Sequence, residues 1–221
     1  MKRKSFMMAA AAAGLVLSFA APAGAGSLAV TGWATKVPEG SGVDATIGWE
    51  FSLDASVTVT ALGVYQAFGD GLHSGHVVGI FRDSDQALMG YESILAGTSG
   101  YLENGYQFQN LDTPFDLAPG SYTVAETITS ILDPNSDTFF SLVTGLTTSP
   151  EVTFITSART YSAGFNYPTA LGGFNDGYFG PNFIFIVDPA APSDGTPEPA
   201  TACLLGAGLA CLGMAARRRR T

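Results

Sequence analysis

The two histidines of this 221-residue chain, His73 and His76, stand three residues apart, and Asp70 stands three before the first. Imidazole nitrogen and carboxylate oxygen together suit zinc or iron. On a helix this spacing would bring all three onto one side. Gly69, Gly71 and Gly75 interrupt the stretch, however, and argue for a loop. Two readings follow: a metal site built from Asp70, His73 and His76, or a glycine-shaped loop in which Asp70 caps a turn and His76 opens a strand. Further on, Asp83-Ser84-Asp85 offers oxygens to calcium, but without the spaced acids and late Glu of an EF-hand loop. A hairpin turn accounts for the same residues. Calcium is the one cofactor these patterns leave open besides that metal site.

Nucleophile–base patterns are wanting. There is no Gly-x-Ser-x-Gly with a plausible partner set, no glycine-rich phosphate loop with Lys, and no His-Glu-x-x-His. Paired carboxylates of the glycosidase kind leave a secreted hydrolase open, yet no pair stands out among the acids. Tyr101, Tyr106, Tyr161, Tyr167 and Tyr178 are candidates to stack on sugar rings, and Gly164–Pro181 has the Gly, Asn and aromatic mixture of a binding loop. The expectation is a protein without catalytic residues, with carbohydrate binding as the first alternative and hydrolysis as the second.

The elements that would carry these residues read as strands. Ala45–Leu53 and Val57–Tyr65 are rich in β-branched and aromatic residues; the second alternates in its first half and is apolar on both faces in its second, as in a sheet interior. His76–Arg82 and Ala87–Ile94 read as a hairpin turning at Asp83–Gln86. Tyr106–Leu111 and Tyr122–Ile128 flank the turn signal Leu117-Ala118-Pro119-Gly120. Val152–Ser157 and Phe183–Val187 close the series. No long 3.6-residue periodicity or solenoid repeat interrupts it. The fold class expected is all-β: a two-sheet, jelly-roll-like β-sandwich over residues 26–189.

The two ends differ from this body. Lys2-Arg3-Lys4, an apolar run from Phe6 to Ala21 and the small residues Ala23-Gly24-Ala25 make residues 1–25 a secretory signal peptide, cleaved by signal peptidase between Ala25 and Gly26. At the other end, residues 190–196 form a small, polar, Pro-containing linker. Pro197-Glu198-Pro199 follows, then the uncharged run 200–216, then Arg217, Arg218, Arg219 and Arg220. At about 1.5 Å per residue a helix over 200–216 spans roughly 25 Å, short of a ~30 Å hydrocarbon core, a gap that snorkelling arginines close. The arginines stay cytoplasmic by the positive-inside rule, leaving the body outside.

Charge narrows the partners. Of ten Lys and Arg, only Lys36, Arg82 and Arg159 lie between the two end segments, against nearly all of 19 acids. Such a body repels nucleic acid and anionic membrane surfaces. The two cysteines, Cys203 and Cys211, both lie in the apolar tail, which excludes a disulfide framework or a cysteine zinc site from the body.

Pro197-Glu198-Pro199, a short apolar helix and a terminal arginine cluster, in that order over residues 197–221, resemble the PEP-CTERM sorting signal of Gram-negative, exopolysaccharide-producing bacteria. The resemblance implies recognition by exosortase, an inner-membrane intermediate, and residence at the cell surface or in an extracellular polysaccharide matrix, exopolysaccharide itself being a possible partner. A second resemblance lies in Gly48-Trp49-Glu50-Phe51, Val59–Val64, Gly69-Asp70-Gly71-Leu72, His76–Phe81, Leu117–Tyr122 and Gly180-Pro181-Asn182-Phe183. These resemble a β-sandwich domain of unknown function found in bacterial surface proteins, over about Asp44 to Val187. It implies a fold and a surface location and no established activity.

Overall fold

The structure, a computed structural model, describes residues 26–39, 43–66, 68–129, 139–172 and 177–188. The expected signal peptide at residues 1–25, the expected linker at 190–196 and the sorting tail, with its expected helix at 200–216, lie outside the described residues. Among the described residues every regular element is a strand, and no helix is long and apolar enough to cross a membrane.

In chain order the strands are β1 (Ser27–Leu28), β2 (Val30–Gly32), β3 (Thr35–Glu39), β4 (Ala45–Leu53), β5 (Val57–Tyr65), β6 (His76–Arg82), β7 (Ala87–Ile94), β8 (Tyr101–Glu103), β9 (Tyr106–Leu117), β10 (Gly120–Ile128), β11 (Phe139–Thr144), β12 (Thr147–Thr148), β13 (Val152–Thr160), β14 (Ala170–Leu171) and β15 (Pro181–Val187). They build a five-stranded sheet in the order β1-β15-β5-β9-β8 and a six-stranded sheet in the order β14-β13-β4-β10-β6-β7. Two small ribbons, β11–β3 and β12–β2, accompany them. The architecture is a β-sandwich, as the strand pattern predicts.

The core lies between the sheets. Every second residue of β4, Ala45, Ile47, Trp49, Phe51 and Leu53, is buried. Val124 of β10 and Ile80 of β6 point the same way, and Phe183 and Phe185 meet them from the five-stranded sheet. The Trp49 and Phe183 rings stack at 6.1 Å, and the Phe51 ring packs tilted against Phe183 at 5.0 Å. Burying each such side chain contributes about 1.5–3 kcal/mol. β5 is the central strand of its sheet, and its burial follows the sequence pattern: alternating to Thr60, then continuous to Tyr65.

Two expectations need correction. The strand expected at Tyr106–Leu111 runs to Leu117. It pairs with β5 at Ala61↔Asn110 and again at Val59↔Phe115, so residues 111–114 bulge out opposite Thr60. Pro114 lies in that bulge, where no ladder N–H is required of it. The ribbon of β3 with β11 is also absent from the sequence reading: Pro38 speaks against a strand, and the partner strand is remote in sequence.

The sandwich has two distinguishable ends. Val187 pairs with Val57 and Val57 with Leu117, so the chain leaves β15 toward the sorting tail beside the β4–β5 turn. Tyr65, Tyr106 and Pro181 lie at the opposite end, with the start of β6 and the end of β10. We call these the tail end and the far end.

Candidate functional site

The histidine loop belongs to the far end. His76 is buried, Nδ1 lies 2.6 Å from the Thr127 carbonyl, and Nε2 lies 3.1 Å from Ser74 Oγ. A carbonyl only accepts, so Nδ1 carries a proton, and Nε2 is hydrogen-bonded to the serine hydroxyl. Both ring nitrogens are thereby occupied, whereas His73 and Asp70 are exposed. The structure does not gather Asp70, His73 and His76: among the described residues no group of three or more His, Cys, Asp or Glu is placed to hold a metal. The loop is shaped by backbone instead. Gly69 and Gly71 take φ of 77° and 104°, a region open to glycine at little cost. With its amide oxygen turned toward donors, buried Gln66 accepts from the N–H groups of Asp70 and Gly71. His76 opens β6, as the turn reading has it.

The acids of the 83–86 turn also separate. Asp85 makes a two-point ion pair with Arg82, Nε to Oδ1 at 2.9 Å and Nη2 to Oδ2 at 2.6 Å. Asp83 turns the other way, onto the outward face of the six-stranded sheet, where Oδ1 accepts from Thr123 Oγ1 at 2.8 Å and Tyr167 Oη at 3.2 Å. Tyr167 comes from a strap, residues 161–169, laid across that face. Thr46 Oγ1 donates to the Gly164 carbonyl and accepts from the Asn166 N–H. Phe165 packs on Phe81 at 5.1 Å and over Gly79, where a Cβ would strike its ring.

Beneath the strap Asp83 neighbours the Glu50 carboxyl group. Burial raises the pKa of both; for Glu50 the Asp83 charge raises it further, while for Asp83 the Thr123 and Tyr167 hydroxyls pull it back. Asp83 Oδ2 is shielded from solvent and makes no hydrogen bond. An open groove of about 540 Å³ lies alongside, between Arg82–Ser84 and Ala118–Tyr122. The arrangement sets two carboxyl groups of raised pKa side by side, with Asp83 Oδ2 turned away from solvent.

This pair makes stability pH-dependent. A carboxyl whose pKa is higher folded than unfolded holds its proton more tightly in the folded state. Its contribution is therefore greatest below the unfolded value of about 4 and declines as pH rises through the raised folded value. Asp83→Asn keeps an acceptor for Thr123 and Tyr167 and places an NH₂ where Oδ2 was. At neutral pH the variant is expected to gain about 1 kcal/mol, the scale of one relieved buried polar atom. Thermal unfolding between pH 4 and 8 checks this: the variant should show a flatter pH dependence, and an unchanged slope would remove the pair as its cause.

The five candidate tyrosines do not share one surface. Tyr106 and Tyr178 are core residues, 0% and 4% exposed. Tyr167 is committed to Asp83. Tyr101 stacks on Phe108 at 5.8 Å. Only Tyr161 is widely exposed, at 64%, with the Arg159 guanidinium 5.6 Å from its ring. Arg159 Nη1 donates to Tyr178 Oη at 2.7 Å.

At the far end a cluster emerges that sequence reasoning missed. Lys36 Nζ lies 3.9 Å from the Tyr65 ring centre, 4.1 Å from that of Trp33 and 4.9 Å from that of Phe140. Tyr106 closes the group behind Trp33 and Tyr65. Burial pushes the Lys36 ammonium down to about 8. The ring faces work in the opposite direction, attracting the cation by about 0.5–2 kcal/mol. The four rings come from four separate stretches of chain, and no local spacing signals them.

Fold and termini together define the class: a β-sandwich body followed by a C-terminal sorting segment. A PEP-CTERM protein-sorting motif matches residues 196–220, covering Pro197-Glu198-Pro199 and all four terminal arginines. The motif implies export, membrane-associated sorting and processing by an exosortase-type enzyme. No curated protein and no solved structure matches the chain.

Proposed function

We propose that the chain is an exported surface or matrix protein of an exopolysaccharide-producing Gram-negative bacterium, and that its sandwich serves a structural or interaction role without catalysis. The sorting motif at residues 196–220 carries the reading. Signal peptidase cuts between Ala25 and Gly26, the tail holds the body at the inner membrane, exosortase acts at Pro197-Glu198-Pro199, and the body passes to the cell surface or beyond. The fold suits this route. β1 pairs with β15, with Ser27 opposite Phe185, so the chain enters the sandwich and leaves it at the tail end. The far end is then the part held away from the membrane.

Intact mass of the protein recovered from its host, surface and medium fractions together, tests the route. The expected product lacks residues 1–25 and the segment after Pro199. A product still carrying the apolar run and its arginines overturns processing and leaves an ordinary single-pass anchor.

Exposed Tyr161 beside Arg159 favours one second reading, carbohydrate binding, with a pyranose face on the ring and the guanidinium donating to hydroxyls. Retention on a neutral polysaccharide column should be lost in Tyr161→Ala. Equal retention of the variant and the parent would remove this reading.

A further inference from the structure

Across the outward face of the six-stranded sheet, Ala158, Gly48, Ala125 and Gly79 pair in one row through β13, β4, β10 and β6. They alternate with Trp49, Val124 and Ile80 of the core, so they face outward, yet all four are buried. Side chains this small leave a furrow, and the strap of residues 161–169 lies over it. Phe165 packs on Gly79, and the Asn166 N–H donates to Thr46 Oγ1. Asn166 Nδ2 also bonds back within the strap, to Ser162 Oγ and the Ala163 carbonyl. Further along, the strap is fastened by Tyr167 Oη donating to Asp83 Oδ1 at 3.2 Å.

The fastening shares Asp83 with Glu50. Asp83 Oδ1 already serves Thr123 and Tyr167, and the shielded Oδ2 has no donor. A proton on Glu50 turns that neighbouring carboxyl into a donor to Asp83; without it, two like charges stand in contact. We propose that the strap is a pH-operated latch, closed over the furrow while Glu50 carries a proton and released from Asp83 when both carboxyls are ionised. Burial and the Asp83 charge hold Glu50 above its ordinary value of 4.5, so the closed strap binds the proton more tightly than the open one. By linkage, closure is complete at low pH and is lost as pH rises through the raised value. Ionised Glu50 then repels Asp83, whose side chain turns away from the sheet and withdraws the acceptor from Tyr167. The surroundings do not cancel the second charge. Arg82 is held by Asp85 at 2.6 Å. β10 contributes the hydroxyls of Thr123 and Tyr122, the latter donated to the Ala118 carbonyl. β13 sets Thr156 opposite Glu50, and the strap itself brings Tyr167. Release is local: β4 and β10 stay paired while the furrow and Phe81 are uncovered.

Amide exchange of the exported protein, each rate divided by that of an unstructured chain at the same pH, tests the latch. From pH 4 to pH 8 the protection of the Asn166 N–H should fall at least tenfold relative to the Val124 N–H in β10, with a midpoint above 4.5. Glu50→Gln gives Asp83 an uncharged donor and should keep Asn166 protected at pH 8. Tyr167→Phe cuts the fastening on the strap itself. At pH 4 it should already show the protection that the parent shows at pH 8, with no further fall. Constant relative protection of Asn166 across the range overturns the proposal, as does a midpoint at or below 4.5. A Tyr167→Phe response that matches the parent's overturns it without reference to the Glu50 variant.

Discussion

Trp49→Ala is expected to destabilise the sandwich by about 3–5 kcal/mol, the range for removing a large buried aromatic. That is comparable to the whole stability of a typical domain, about 5–15 kcal/mol. Trp49 is 0% exposed and touches the rings of Phe51, Phe154, Phe179 and Phe183, so both sheets and the 177–180 approach to β15 close on it. Its Nε1 also donates to the Pro181 carbonyl at 2.8 Å, within the core. Truncation leaves a cavity that β4, paired on both sides, cannot collapse into, and it orphans that carbonyl. Trp49→Phe separates the two effects: most of the ring volume returns, the donor does not, and the loss should fall to about 1–3 kcal/mol. Urea unfolding with an unchanged m-value measures both. A loss below about 1 kcal/mol for Trp49→Ala would mean that the two sheets are not joined through this residue.

The same residue explains how much of the fold is legible in the sequence. Trp49 lies in a stretch where apolar and polar residues alternate and β-branched and aromatic types abound. Strands of that kind, Ala45–Leu53, Val57–Tyr65, His76–Arg82 and Ala87–Ile94, have the bounds their sequences suggest. Their periodicity is local and turn residues bracket them. Pairing across long separations leaves no such trace. Thr35–Glu39 contains a proline and finds its partner only at Phe139–Thr144. The candidate sites follow the same division. The glycine loop around Asp70 and the turn at Asp83 are readable as turns, because glycine and aspartate act on their own backbone. The meeting of Glu50 with Asp83 depends on strand register and on a strap from beyond β13, and the box around Lys36 draws Trp33, Tyr65 and Phe140 from three places. The sorting motif is the opposite case: its parts are contiguous, which is why residues 196–220 are recognisable without a structure.

Register also joins the two ends of the body, and one side chain carries much of that junction. Past Leu28 the chain leaves the β15 edge: Ala29 N still donates to the Phe183 carbonyl at 2.9 Å, but Val30 turns to the Asn182 side chain. Asn182 Oδ1 accepts from Val30 N at 3.0 Å and from Phe183 N at 2.9 Å, and Nδ2 donates to the Val30 carbonyl at 3.2 Å. The amide thus acts as a surrogate peptide group, continuing the ladder for one more residue, and it is fully buried. Asn182→Ala would strand two N–H groups and one carbonyl in the core. With about 1–3 kcal/mol for each buried group left without a partner, and some regained by relaxation, a loss of about 3 kcal/mol is expected. The loss should concentrate on β1 and β2. Amide exchange at Ala29 and Val30 should accelerate by more than tenfold while exchange in β4 and β10 changes only with global stability. Uniform acceleration would mean that the N-terminal strands fold and unfold with the rest. Selective release would mean that Asn182 is what holds the N-terminal strands against β15, the last strand before the sorting tail, so that the chain enters and leaves the folded body on one side.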